Sequence, residues 1–137
     1  MFTKRPRRPS PLQGSRLAEL LPPTELRRLD RAATIVTLSQ PSRVTRQAER
    51  GRQFLVVIDG LLEVERQGSR VADLGAGDVA GEISALTGGP CTADVTAVAG
   101  TTVYAMNPRE LTSLLSGCPE LSKELWRTAL DRIPQPA

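Results

Sequence analysis

The residues with the clearest chemical potential lie in one glycine-rich segment, residues 74–97, which reads LGAGDVAGEISALTGGPCTADVTA. Its pattern predicts a tight turn, the end of a strand, one short helical turn, a loop and a second strand. The first N–H groups of a helical turn have no partner within the helix, so they can bind an anion. Glu82 lies where that turn begins. The segment therefore predicts an anion site with a carboxylate that either has a role of its own or simply stabilises the start of the turn.

Other kinds of chemistry are disfavoured by what the chain lacks. It contains no histidine, and its two cysteines, Cys91 and Cys118, do not form a CxxC pair. The usual zinc spacings and the histidine-activated nucleophiles are therefore excluded. Paired carboxylates at a catalytic spacing are also missing. We expect a binding protein rather than an enzyme, without a metal or a cofactor.

Length and charge predict one domain behind a basic tail. Lys4, Arg5, Arg7 and Arg8 supply four of the 18 basic residues, which leaves 14 against 15 acidic residues in the rest of the chain. We predict that residues 1–14 are a disordered, proline-rich tail and that residues 15–137 form a single domain. Because the body of the chain is near neutral, a broad nucleic-acid-binding face is not expected.

No targeting signal is apparent in the sequence. No apolar run approaches the ~20 residues that cross a bilayer, and no apolar segment follows the basic N-terminal residues. With two cysteines that we expect to be reduced thiols, these features predict a cytoplasmic protein without a membrane partner.

The elements that must position the glycine-rich segment are mostly short strands. Two short helices are predicted first, at residues 15–21 and from 24 to about 32. Strands follow at residues 34–38, 54–58, 61–66, 71–74, 94–98 and 101–106. The apolar run 54–58 predicts burial on both faces, and Asp59-Gly60 after it predicts a hairpin.

Two helices are predicted to end the chain. Asn107 caps the first, which runs to about residue 116, and Pro119 begins the second, which runs to about residue 133. The apolar stripe of the last helix is Leu121, Leu125, Trp126, Ala129, Leu130 and Ile133. The predicted fold is mainly β with flanking helices. It is an antiparallel β-roll or jelly roll of about eight short strands, two short N-terminal helices and two C-terminal helices.

This order of elements resembles the cyclic nucleotide-binding domain of catabolite-activator-type regulators and protein kinase regulatory subunits. One stretch that carries the resemblance is AERGRQFLVVIDG (residues 48–60), with Glu49, Gly51, the run 54–57 and Gly60 at the spacing of that family. The other is the segment 74–97, which resembles the family's phosphate-binding cassette. The likeness extends more loosely from about Leu17 to about Ile133.

The resemblance implies a site for cAMP or cGMP. The residues that it implies are Gly81, Glu82, Ile83, Ser84, Cys91, Thr92 and Ala93. Backbone N–H groups of the first four would donate to the phosphate, and Glu82 would accept a hydrogen bond from the ribose 2′-hydroxyl. Thr92 would offer its hydroxyl to the phosphate or the base, and Ala93 would leave room for the ligand.

Cys91 is the main departure from the family pattern. The family has an arginine there, paired with the phosphate, whereas a thiol offers a weak donor and no charge. Losing a charge-assisted contact weakens binding by about tenfold to over a hundredfold. Cys91 is either an inert thiol or, near a helix start, a thiol that senses oxidation. The other departures are Ala80, Ala85 and Ala48, where the family usually has two large apolar residues and a glycine.

Another arginine can supply the missing charge. The candidates are Arg43, Arg46, Arg52 and Arg70. The sequence does not show which of them, if any, reaches the site.

Two functions follow from the resemblance. The first is a regulatory cyclic-nucleotide sensor that has no output domain of its own and acts on a protein partner. The alternative is a domain of the same fold with a degenerate, non-binding site that serves as a protein interaction module. A homodimer through the C-terminal helix is compatible with both, and a DNA-binding regulator is disfavoured by the near-neutral body of the chain.

Overall fold

The computed structural model describes residues 9–133, and within that range the chain forms eight strands and five helices. In chain order these are α1 (Arg16–Leu20), α2 (Pro23–Ala32), β1 (Thr34–Leu38), β2 (Ser42–Thr45), β3 (Phe54–Asp59), β4 (Leu62–Arg66), β5 (Ser69–Leu74), β6 (Val79–Ala80), α3 (Glu82–Thr87), β7 (Asp94–Ala97), β8 (Thr101–Met106), α4 (Pro108–Leu115) and α5 (Pro119–Arg132). None of these helices is long and apolar enough to cross a membrane.

The strands form two antiparallel four-stranded sheets. One has the order β1-β8-β3-β6 and the other the order β2-β7-β4-β5. Two helices precede the strands and two follow them, and α3 interrupts the β region between β6 and β7. The predicted class, mainly β with flanking helices and about eight short strands, is confirmed.

Strand β3 shows why the β region is stable. Phe54 and Val56 belong to a core shared with the helices, whereas Leu55 and Val57 belong to a second core between the sheets. All four side chains are buried, because successive residues of a strand point to opposite faces and both faces of β3 are covered. The prediction of a strand buried on both faces is confirmed.

The predicted hairpin at Asp59-Gly60 is wrong. Strand β3 pairs with β8 and β6, whereas β4 pairs with β5 and β7 in the other sheet. The chain crosses between the sheets here, and the hydroxyl of Thr101 accepts from the N–H of Leu61 and donates to its carbonyl, both at 3.2 Å. The Thr101 side chain thus satisfies the backbone of Leu61 where the chain passes from one sheet to the other.

The packed domain begins before the predicted boundary at residue 15. Leu12 is buried in the core that the helices cover, and Ser10 donates a hydrogen bond to Asp30 at 2.9 Å. Residues 10–12 are therefore part of the fold rather than of the tail. The basic residues of the tail, Lys4, Arg5, Arg7 and Arg8, lie outside the described residues.

The predicted apolar stripe of α5 divides into two faces. Leu121, Leu125 and Ala129 are buried against the rest of the domain. Trp126, Leu130 and Ile133 are exposed by 40%, 61% and 36%. Strand β2, at residues 42–45, was not predicted, because its alternation is short and includes Arg43.

Candidate ligand-binding site

A cavity of about 460 Å³ lies beside the sheet that contains β4, β5 and β7. Its wall includes residues of those strands, the start of α3, the loop before β7 and the last turn of α5. The residues predicted from the sequence all line it: Gly81, Glu82, Ile83, Ser84, Cys91, Thr92 and Ala93. The structure therefore brings the two ends of the glycine-rich segment together around one cavity. That they contact a ligand stays a prediction.

Gly81 makes the turn from β6 into α3 possible. Its φ of 78° lies in the left-handed region, and a Cβ at this position would lie 2.3 Å from the carbonyl oxygen of Gln53. Only glycine combines that conformation with so close an approach. The turn places Glu82, the first residue of α3, at the cavity wall.

Glu82 is 2% exposed and is paired with an arginine that the sequence analysis did not consider. Its Oε1 accepts a hydrogen bond at 2.9 Å from Nη1 of Arg132, which also donates to the carbonyl of Val79. Arg132 lies in the last turn of α5, three residues after the buried Ala129. This spacing could have indicated that Arg132 faces the domain, because residues three or four apart share a helix face.

Ser84 holds two loops together. Its hydroxyl accepts from the N–H of Gly51 at 2.9 Å and donates to the carbonyl of Gly89 at 2.6 Å. The hydroxyl proton is therefore already used within the protein, and the group that Ser84 offers to a ligand is its backbone N–H. This contact joins the stretch around residues 48–51 to the glycine-rich segment.

The backbone of Cys91 pairs with the same stretch. Its N–H donates to the carbonyl of Glu49 at 2.8 Å, and its own carbonyl accepts from Ala48 at 2.9 Å. Burial raises the pKa of the Cys91 thiol above its ordinary value, and the charges of Glu82 and Glu49 add to this effect. A raised pKa keeps the thiol neutral at pH 7, so this environment does not favour an oxidation-sensing thiolate.

The four arginines considered as replacements do not line the cavity. Arg43 pairs with Asp94 at 3.6 Å, and Arg70 pairs with Asp73 and Glu63. Arg46 and Arg52 are exposed elsewhere on the surface.

The arginine of β4 that does line the cavity is Arg66. Its Nε donates to the carbonyl of Thr92 at 3.1 Å. The period of two from Leu62 and Val64, which both face inward, predicts that Arg66 faces the same side.

A family model described as the cyclic nucleotide-binding domain matches residues 29–118 of the chain. A cyclic nucleotide-gated potassium channel from Rhizobium etli is 29% identical over 89 residues, which cover 65% of this chain and 25% of the channel. The chain therefore spans only a quarter of that relative.

Solved structures that are similar over most of the chain include the following two. The catabolite activator protein of Thermus thermophilus has a TM-score of 0.72 at 24% identity, covering 90% of this chain and 58% of the activator. The N-terminal domain of a transcriptional regulator from Streptomyces coelicolor has a TM-score of 0.68 at 25% identity, covering 90% of both chains. The likeness to the activator shows a shared fold.

Proposed function

The chain belongs to the cyclic nucleotide-binding domain family, and from that premise we propose that it is a regulatory sensor that binds cAMP or cGMP in the cavity beside Glu82. The resemblance seen in residues 48–60 and 74–97 is thus confirmed at the level of the family. The observation that carries the proposal is the convergence of the predicted site residues on one cavity of about 460 Å³. That volume is within the range of small-molecule sites.

Glu82 has the central role in this proposal. Arg132 uses Oε1 of the buried carboxylate, which leaves Oε2 to accept a hydrogen bond from the ribose 2′-hydroxyl. The backbone N–H groups of Ile83 and Ser84, at the cavity wall, add donors for the phosphate. The protein acts by binding rather than by catalysis, and its output passes to a partner. A cytoplasmic location stays a prediction.

A neutral, buried thiol at Cys91 supports weak binding. Cys91 is 7% exposed and lines the cavity, so an arginine at this position would bring a positive charge to the cavity wall. We expect the change Cys91→Arg to raise the affinity for a cyclic nucleotide by about 10- to 100-fold.

The alternative is a non-binding interaction module of the same fold. One observation favours it: Glu82, the carboxylate that a ribose would use, already has a cationic partner in Arg132. In that case the Arg132–Glu82 ion pair is a structural contact of the cavity wall, and the protein does not respond to a cyclic nucleotide.

Isothermal titration calorimetry with cAMP and cGMP separates the two functions. Wild type, Cys91→Arg and a control, Thr112→Arg, are titrated; Thr112 is exposed on α4, so the control adds the same charge outside the cavity. Binding by wild type that Cys91→Arg strengthens and Thr112→Arg leaves unchanged supports the sensor. If neither wild type nor Cys91→Arg binds at millimolar nucleotide, the sensor is rejected in favour of the alternative.

We also propose that the exposed face of α5 pairs with a second copy of the chain. Trp126 and Leu130 lie four residues apart on one exposed face of the helix, and two such faces bury their apolar surface when related by a two-fold axis. Sedimentation velocity tests this. We expect a wild-type dimer that Leu130→Glu dissociates and the control Thr112→Glu does not. A wild-type monomer at high micromolar concentration rejects the dimer.

A further inference from the structure

The two arginines that line the cavity are in different electrostatic situations. Arg132 is paired with Glu82, so their charges cancel within the cavity wall. Arg66 forms no ion pair with any carboxylate among residues 9–133. The other acidic residue of the wall, Asp131, is exposed at the end of α5. Arg66 therefore brings a positive charge to the cavity that has no partner within the described part of the chain.

The position of Arg66 is fixed at both ends of its side chain. Its backbone lies in β4, where it continues the inward face of Leu62 and Val64. Its guanidinium is held by the bond from Nε to the carbonyl of Thr92 at 3.1 Å. Both Nη groups remain without an acceptor among the described residues. A guanidinium held at Nε presents its remaining donors in a fixed plane, which suits a phosphate group.

The charge of Arg66 lies against the loop that departs from the family pattern. Thr92, whose carbonyl holds the guanidinium, directly follows Cys91, and both residues line the cavity. The cationic guanidinium of Arg66 therefore contacts the residue that directly follows the neutral thiol of Cys91. The cavity keeps one unpaired positive charge near this loop, although the charge comes from another strand.

We propose that Arg66 is the cation that receives the phosphate of the bound cyclic nucleotide, in place of the arginine absent at position 91. This inference rests on the proposed function and adds to it a binding residue that the family pattern does not assign. The site then has Glu82 for the ribose and Arg66 for the phosphate. Binding by the wild type is consequently stronger than the loss at position 91 alone implies.

Calorimetric titration of cAMP into Arg66→Gln, Arg66→Lys and a control, Arg70→Gln, tests the proposal. Arg70 belongs to the same β-hairpin but is paired with Asp73 outside the cavity. We expect Arg66→Gln to weaken cAMP binding by about 10- to 100-fold and Arg70→Gln to leave it unchanged. Arg66→Lys keeps the charge but loses the Nε contact. Partial affinity in this variant supports a charge role, and a loss equal to that of Arg66→Gln shows that the planar guanidinium is required as well. Wild-type affinity in Arg66→Gln overturns the proposal.

The same substitutions in the Cys91→Arg background provide a second measurement. If Arg66 and an arginine at position 91 serve the same phosphate, the effect of Arg66→Gln is smaller in that background than in wild type. Equal effects in the two backgrounds overturn the proposal.

Failure of the inference is distinguishable from failure of the proposed function. If wild type binds cAMP and Arg66→Gln binds equally well, the assignment of Arg66 is overturned and the sensor stands. If only Cys91→Arg binds, Arg66 does not replace the missing charge, and the assignment is again overturned. If neither wild type nor Cys91→Arg binds, the proposed function fails and the inference fails with it. Thermal unfolding of every variant confirms that each one is folded.

Discussion

Arg132, in the last turn of α5, donates a hydrogen bond at 2.9 Å to the carboxylate of Glu82, the first residue of α3. The glutamate side chain is 3% exposed and that of the arginine is 31% exposed. This ion pair connects the C-terminal helix directly to the cavity wall. The carboxylate at the cavity wall is therefore also a contact of α5.

The Arg132–Glu82 pair is expected to contribute measurably to stability. Arg132→Gln leaves a buried carboxylate without its partner, so we expect the free energy of unfolding to fall by about 1–3 kcal/mol. Glu82→Gln in the same chain is expected to recover part of that loss, because the unpaired charge is removed. Urea denaturation of the two single variants and the double variant gives the coupling energy.

The surface pair Arg127–Glu124, also on α5, is the control for that cycle. Because this pair is solvent-exposed on the arginine side, its coupling is expected to be smaller. Equal coupling energies for the two pairs would show that the contact at the cavity is no more than a surface interaction.

Glu25 replaces the missing cap of the last helix. It is 6% exposed in α2, and its carboxylate accepts from the N–H of Leu121 at 2.8 Å and of Glu120 at 3.2 Å. Cys118, the residue before α5, makes no side-chain cap. We expect Glu25→Ala to lower the free energy of unfolding by about 1–2 kcal/mol, measured by urea denaturation. Glu19→Ala, at an exposed position of α1, is the control; a loss as large as for Glu25→Ala contradicts the capping role.

Ala48 is strained where the family usually has glycine. Its φ is 69°, in the left-handed region, and its N–H is held by the carbonyl of Cys91 at 2.9 Å. The left-handed conformation costs an alanine about 1–2 kcal/mol, and glycine adds about 0.4–1 kcal/mol of unfolded-state entropy. We therefore expect Ala48→Gly to raise the free energy of unfolding by up to about 1.6 kcal/mol.

The control for that substitution is Ala99→Gly. Ala99 is exposed and its φ lies outside the left-handed region, so glycine brings only the entropic cost there. Both the melting temperature and the urea midpoint are expected to rise for Ala48→Gly and to fall for Ala99→Gly. A loss of stability in both would mean that the backbone at Ala48 is not strained.

Local patterns and the family resemblance were sufficient to predict most of the elements and the residues that line the cavity. The run at 54–57 predicted a strand buried on both faces because burial follows directly from hydrophobicity. The residues that meet at one cavity, among them Gly81, Glu82 and Thr92, were predicted from the resemblance of their segment to the family's phosphate-binding cassette.

Long-range relationships could not be predicted in the same way. The dipeptide Asp59-Gly60 is a hairpin signal only if both flanking strands join one sheet, and here they join different sheets. Arg66 and Arg132 are ordinary charged residues in their own elements. Their position at the cavity depends on how β4 and α5 pack around α3. The periodicity of a single element carries no information about that packing.

Tyr104 is expected to make stability depend on pH in the alkaline range. It is 2% exposed, and its hydroxyl donates to Asp30 at 2.8 Å. Burial, and then the hydrogen bond and charge of Asp30, raise the pKa of Tyr104 well above its ordinary value. A group whose pKa is raised on folding contributes stability that is fully present below the unfolded pKa, about 10 for tyrosine, and is lost as the pH rises above it.

We therefore expect the free energy of unfolding to fall above about pH 10 by up to about 1.4 kcal/mol per pH unit from Tyr104 alone. Urea denaturation of wild type and Tyr104→Phe from neutral to alkaline pH measures this contribution. Phenylalanine keeps the ring in the core and removes the ionisable hydroxyl, so the variant is expected to lose less stability as the pH rises. The pKa values of Cys91 and Cys118, which burial also raises, are common to both proteins, so the difference between the two curves isolates Tyr104. Parallel curves would mean that the Tyr104 hydroxyl ionises as readily in the folded protein as in the unfolded chain, which its contact with Asp30 opposes.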